Sequence, residues 1–346
     1  MTACRMWLWV LSTVVFTIGC QKSSTDESVA PSGESSRQDA TVVDPPMQRD
    51  ATELADLDKP EEPIDLPTDW QEGDKLRYTL VKSRKRTRGS DTVFDNSSST
   101  DIDIEILETS PAGYLVGWTT GKPTVSGNSN DPLVQQVLNL FSDVQMRLML
   151  DNSISIVGIQ NWQEVQSRSV ELVEILAKRT EESVGSQAAA GVRQTASMFS
   201  SERQVMNLCA RDAQMFFLIL GGTYEVAPNE YEDRLPNPYG GEPFPSKAAF
   251  RLLGIQPDKN QAVVQWTQTL DPVATRRIME VIVRDMTSRM GANAPDQQIL
   301  KDFAIDDEAT AYVDLETGWP ATVKHQRTSR TGGATQVDRI EFNRKS

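Results

Sequence analysis

The sequence predicts an α+β fold: a large antiparallel sheet, curved or partly open, with helices packed on one side. Three observations lead there. Segments of alternating apolar and polar residues, punctuated by Gly- and Asp-containing turns, recur from Leu76 to Ile159 and again from Ala248 to Phe342. A block of helical period lies between them, over 161–222. The strand regions also contain two similar stretches. Tyr114-Leu115-Val116-Gly117-Trp118-Thr119 leads to Asp131-Pro132, and Ala262-Val263-Val264-Gln265-Trp266-Thr267 leads to Asp271-Pro272. The match suggests two similar halves, 67–160 and 245–346. The crevice between them would be the default binding region.

The chain opens with one positive charge at Arg5, an apolar run from Met6 to Ile18, then Gly19-Cys20 and polar residues. That order is a secretory leader over 1–19, and its apolar run falls short of the roughly 20 residues a membrane span needs. With a small residue before Cys20, it resembles the bacterial lipoprotein signal, with Thr17 where that signal usually carries Leu. The resemblance implies that Cys20 is acylated and becomes the mature N-terminus. The expected location is a lipid-anchored position outside the cytoplasm, on the outer membrane facing the periplasm.

Residues 20–66 follow as a Ser-, Pro- and acid-rich stretch, with 12 acidic and 4 basic residues over 21–66. So little apolar surface cannot offset ordering entropy, so a disordered tether is expected. The folded body should occupy 67–346.

Its first strand starts at Leu76, and Asp101-Ile102-Asp103-Ile104-Glu105-Ile106 is a second. A hairpin that sets Arg88 opposite Asp101, Arg86 opposite Asp103 and Arg84 opposite Glu105 would explain the basic cluster as one side of a charge ladder. Tyr114–Thr120 is a third strand. Asp131-Pro132 reads as a cap and first helical position, followed by the apolar face of Leu133, Val134, Val137, Leu138 and Phe141. Val144–Leu150 and Ile154–Ile159 form another hairpin. The helical insert over 161–222 begins with Trp162, Val165, Ser169, Leu172, Val173 and Leu176 at helical spacing.

Residues 223–246 hold five prolines and three tyrosines without a regular period. They read as a long loop, in which exposed Tyr224, Tyr231 and Tyr239 are candidates to meet a ligand or partner. The alternative is a packed surface connection. Strands return at Ala248–Ile255 and Gln261–Thr269, a helix opens at Asp271-Pro272, and Ala309–Leu315, Pro320–Ser329 and Thr335–Phe342 form a terminal meander.

Gly73-Asp74-x-x-x-Tyr78, Leu235-Pro236 before Gly240-Gly241, and Tyr312-x-Asp314-x-x-x-Gly318 resemble a family of bacterial extracytoplasmic lipoproteins with an uncharacterised domain. The similarity covers about 70–345 and implies a β-rich lipoprotein without assigned chemistry. A second likeness is to lipoprotein carriers, whose curved sheet and helices hold acyl chains between them.

Composition narrows the function classes. With 35 basic and 49 acidic side chains the net charge is −14, the reverse of what phosphate neutralisation in a nucleic-acid binder requires. The three cysteines leave only Cys209 in the mature body, where an apolar run suggests a buried, unreactive thiol. His325 is the one histidine and reads as an exposed strand residue. Single-chain zinc sites of the usual His/Cys type then lack ligands. Neither G-x-G-x-x-G nor G-x-x-x-x-G-K occurs. No catalytic residue, cofactor or metal site stands out. The leading expectation is a lipid-anchored envelope binding or interaction protein without catalysis, joined to the membrane through Cys20. The alternatives are a carrier for an apolar ligand between sheet and helices, and an envelope hydrolase using carboxylates.

Overall fold

The computed structural model describes residues 57–126, 142, 144–235, 237, 242–290 and 303–346, all within one compact unit spanning 47–346. Its centre is an open sheet of 12 antiparallel strands that does not close into a barrel. The strands are β2 (Lys75–Arg88), β3 (Asp91–Ser110), β4 (Gly113–Thr120), β5 (Thr124–Val125), β6 (Gln145–Leu150), β7 (Ile156–Ile159), β9 (Asn229–Leu235), β10 (Phe244–Gln256), β11 (Gln261–Leu270), β12 (Ala304–Asp314), β13 (Pro320–Thr331) and β14 (Ala334–Arg344). Two short strands, β1 (Ile64–Asp65) and β8 (Thr223–Tyr224), pair separately.

Across the sheet the order is β7-β6-β4-β3-β2-β14-β13-β12-β11-β10-β9, with β5 beside β3. Each half is a meander, and the halves join where β2 pairs with β14. Chain neighbours thus form most pairs, and one long-range pairing closes the architecture. The two similar stretches lie in β4 and β11, each with its next long strand as antiparallel neighbour, β6 and β12. Helix α5 (Pro272–Met290) bridges the second pair; the helix expected after Asp131-Pro132 lies outside the described residues. Asp271 caps α5 as its sequence suggests, its carboxylate accepting from the Val273 and Ala274 N–H groups at 2.9 and 2.8 Å.

The insert folds as α1 (Trp162–Ser183), α2 (Ser186–Gln194), a 3₁₀ turn (Thr195–Phe199), α3 (Glu202–Cys209) and α4 (Arg211–Phe217). The α1 stripe of Val165, Ser169, Leu172, Val173 and Leu176 is buried as its period requires. Phe216 of α4 meets Tyr78, Trp118 and Phe342 edge-on, at centroid distances of 4.9, 5.6 and 5.2 Å. These rings, with Leu80, Ile102, Ile104, Val116 and Leu148, form the main core. Helix α5 sets Ile278 and Met279 against Phe244, Leu270 and Ile305 in a second cluster. By strand register these sheet residues share one face with Leu80, Trp118 and Phe342. We call it the inner face.

Several expectations are corrected. The β2–β3 hairpin turns at Gly89-Ser90, with Gly89 at φ +57°, and this tight loop dictates the register. Arg88 therefore faces Asp91 and Arg84 faces Asn96, while Asp103 and Glu105 face Arg77 and Lys75. The ladder on the outer face is built from Lys75 and Arg77, with Lys345 on Asp101. Residues 57–66 belong to the body. Asp58 bridges Ile255, Ile64 pairs with Tyr224, and Leu66 is buried. Gly318, at φ +71°, admits the Pro67 carbonyl where a Cβ would stand 1.7 Å from its oxygen. Beside it Trp70 stacks on Trp319 at 4.0 Å and donates its indole N–H to the Thr317 carbonyl. The stretch 223–246 is not one loop: β8 and β9 occupy it, and β9 adds an edge strand to β10. Its Asn229-Glu230-Tyr231-Glu232-Asp233 hides a two-residue period because an edge strand needs few apolar residues and is protected by charge.

Candidate functional site

The chemistry gathers on the inner face, and strand register explains how. Three parallel rows cross β11, β12, β13, β14 and β2. The first is apolar: Val264, Ala311, Val323, Phe342 and Leu80 stand side by side. The second is mixed: Trp266, Ala309, His325, Ile340 and Lys82. The third is polar and alternates in sign: Gln268, Asp307, Arg327, Asp338 and Arg84. Side chains two residues apart on a strand share a face, so four residues carry each strand from the apolar row to the charged one.

Asp307 is the hub of the charged row. Arg327 Nε and Nη2 donate to its two oxygens at 2.8 Å each, and His325 Nε2 approaches Oδ1 at 2.9 Å. Its side chain is 1% exposed. Burial alone would push the carboxyl up, but the Arg327 guanidinium and the His325 bond outweigh it and hold it well below the usual carboxylate range. Burial likewise pushes the Arg327 guanidinium down, and Asp307 more than restores it. Asp338 pairs with Arg84 and accepts from Gln336 Nε2 at 2.9 Å.

Helix α4 brings two more charges. Asp212 pairs with Lys82 of the mixed row, tying the insert to the sheet. Arg211, half-buried, lies within electrostatic reach of Asp307, Asp338, Asp212 and Arg327. Its guanidinium makes no hydrogen bond or ion pair with any described residue. Burial, then the charge of Arg327, push it down to about 10 against the pull of the three carboxylates.

An aromatic strip runs from this cluster to the sheet edge. Trp266 stacks near His325 at 6.4 Å and is 3.3 Å from the Tyr231 hydroxyl through its indole nitrogen. Tyr231 lies flat on Phe250 at 5.8 Å and remains 38% exposed on β9. His325 Nδ1 is buried without a hydrogen-bond partner. With Nε2–H donating to Asp307, that atom offers a lone pair to a donor.

The sequence-derived candidates are placed unevenly. Tyr231 stands at the strip's outer end. Tyr224, expected to be exposed, is buried: its strand pairs with Ile64 and its ring packs edge-on to Phe250 at 6.0 Å. Burial raises its phenol's pKa. Tyr239 and Cys20 lie outside the described residues. His325, expected on an exposed strand, is 2% exposed, because its position shares parity with buried Val323. Cys209 is partly buried with Sγ 3.4 Å from the Ser169 hydroxyl, and burial pushes the thiol up, which suits an unreactive residue.

The residues that sequence reasoning missed are Arg211, Asp307, Arg327 and Asp338. The available signal was parity: each of the last three lies an even number of residues from apolar Ala309, Val323 or Phe342 on its own strand. Among the described residues no cluster of three or more His, Cys, Asp or Glu could hold a metal ion. No described helix is long and apolar enough to cross a membrane.

No protein-family model matches the chain, and no curated protein matches it. Among solved structures, it is similar to one titled "Lipid-protein interactions in lipovitellin", at a TM-score of 0.41 and 10% identity. That alignment covers 80% of this chain and 26% of the other. A likeness of this size fixes neither family nor activity.

Proposed function

We propose that this chain is a lipid-anchored binding protein of the bacterial cell envelope. It is moored through Cys20, and it holds an amphipathic molecule on the inner face between sheet and helices. The observation that carries this reading is the change along that face. An aromatic core under α4 gives way within four residues to a partly buried charged row, which an aromatic strip connects to an exposed tyrosine on the edge strand. Buried ion pairs rarely stabilise a fold better than apolar packing of the same shape would. Retaining one suits recognition of a polar group. The anchor rests on the leader sequence and on the acylatable Cys20.

Carboxylate hydrolysis is the weaker reading. A general acid needs a raised pKa, whereas Asp307 is held low and both its oxygens are engaged. Two measurements test the proposal. Labelled palmitate should enter the wild-type protein and fail to enter Cys20→Ser; equal labelling of both would remove the anchor. Mass spectrometry of solvent extracts from the purified full chain should find a co-purifying lipid. A chain free of lipid after expression in a bacterial envelope would remove the binding role.

A further inference from the structure

Strand β9 ends the sheet, with β10 on one side of it and no described strand on the other. Register shows which of its backbone groups are left over. In an antiparallel strand successive residues send their N–H and C=O groups to opposite sides. Pro245 of β10 turns its carbonyl toward β11, where it accepts from the Asp271 N–H at 2.8 Å. Pro245, Lys247 and Ala249 therefore serve the β11 side. Their cross-strand partners Arg234, Glu232 and Glu230 point their own groups away from β10. The Leu252 N–H, turned the other way to meet the Glu225 carbonyl, follows the same alternation. Of the three outward residues, Arg234 has its N–H taken by the Asp233 carboxylate at 2.7 Å. Glu230 and Glu232 keep open N–H and C=O groups, and both residues are exposed.

The side chains beside this open ladder select what pairs with it. Glu230 and Glu232 stand on the outer face, and their carboxylates make no ion pair or hydrogen bond with a described residue. Among the β10 residues in register, Lys247 is the one cation, opposite Glu232. Between the two glutamates Tyr231 lies on the inner face, flat on Phe250 and 38% exposed. Opposite charges directly across a strand pair stabilise it, and like charges destabilise it. A second copy of β9 is therefore a poor occupant. Pairings that match Glu230 with Glu232, or either with itself, set acid against acid. Shifting the pair until Glu232 meets Arg234 brings Asp233 onto Asp233.

We infer that β9 is a docking edge for an extended segment of another protein, added to the sheet as a further antiparallel strand. Its basic residues, two apart, face Glu230 and Glu232, and the apolar residue between them faces Tyr231. Main-chain bonds to the open groups supply the affinity, and the alternate side chains supply the selectivity. This edge does not depend on what the inner face holds, so it stands or falls separately from lipid binding.

The test titrates the full chain with a fluorescently labelled peptide, Ser-Val-Lys-Ile-Lys-Val-Ser, blocked at both ends. It should bind, and in its presence the Glu230 and Glu232 amides should exchange with deuterium more slowly. A peptide with glutamate in place of both lysines should bind about tenfold more weakly. Methylating the backbone nitrogens of the two lysines keeps their charge but removes the N–H donors that face β9. That should weaken binding by about tenfold or more. In the double variant Glu230→Lys, Glu232→Lys the preference between lysine and glutamate peptides should reverse. Failure of the lysine peptide to bind would overturn the inference. So would equal binding of its methylated form, which would mark a merely ionic contact. An unchanged preference in the double variant would place the contact elsewhere and also defeat it. Self-association of the wild-type chain, lost in the double variant, would assign the edge to a second copy and overturn the choice of partner. The peptide comparison on wild type uses no variant, so it decides the matter even if the double variant misfolds.

Discussion

Two rows of the inner face invite comparison, because the same strands build both. Val323, Phe342 and Leu80 form one row and Arg327, Asp338 and Arg84 the other, about 13 Å along the strands. The first lies under the aromatic cap of Phe216 and needs nothing but shape. The second is partly buried, yet it is satisfied only because each strand presents a charge opposite to its neighbour's. The apolar row is stabilised by water leaving it and the charged row by register. A one-residue slip between strands would send both rows to the opposite face, but only the charged row would also lose every partner.

The comparison can be broken at several points, beginning with the largest effect. Phe216→Ala removes the ring shared by Tyr78, Trp118 and Phe342. It should cost about 3–5 kcal/mol in chemical denaturation; a loss below about 1 kcal/mol would show the aromatic core collapsing around the gap. Next, Asp307→Ala leaves Arg327 beside a neutral hole. The expected loss is about 3 kcal/mol, the lower end for a broken buried pair, because Arg327 keeps some contact with solvent. The double variant Asp307→Ala, Arg327→Met should recover much of it, and failure to recover would mean that the pair is a source of net stability.

Acid offers a milder version of the same test. The Asp307 carboxyl has a lower pKa folded than unfolded, so the unfolded chain takes up its proton first as pH falls. The contribution is complete above the ordinary carboxylate range, near pH 4, and is lost as pH falls below it toward the folded value. Denaturation curves from pH 7 to 3 should therefore lose stability mainly at the acid end, and less so in Asp307→Asn. Smaller still, Tyr231→Phe removes one hydroxyl near Trp266 and should cost about 0.5–1.5 kcal/mol. On the outer face, Arg77→Ala should change denaturation little, since exposed pairs such as Arg77–Asp103 contribute weakly. A large loss there would erase the contrast between the two ladders.

How legible was this in the chain? The terminal meander, the α1 stripe and the Asp271 cap follow from period and local chemistry, and the structure reproduces them. Strand β9 was hidden because Glu230, Tyr231, Glu232 and Asp233 lack the apolar content that marks interior strands. The expected ladder failed by register alone. Arg84 does sit in a ladder, but opposite Asp338 from the far end of the chain rather than an acid of its own hairpin. His325 reads as exposed among Lys324, Gln326 and Arg327, and only the partners of its strand reveal which parity points inward.

The sequence by itself determined the class of the fold and its division into strand regions and a helical insert, because alternation and helical spacing are local properties of the chain. Tertiary structure alone decided that β2 would meet β14 and that three acid–base pairs would close on one face. Those facts depend on which residues far apart in the chain lie side by side, and no local pattern encodes a neighbour some 250 positions away.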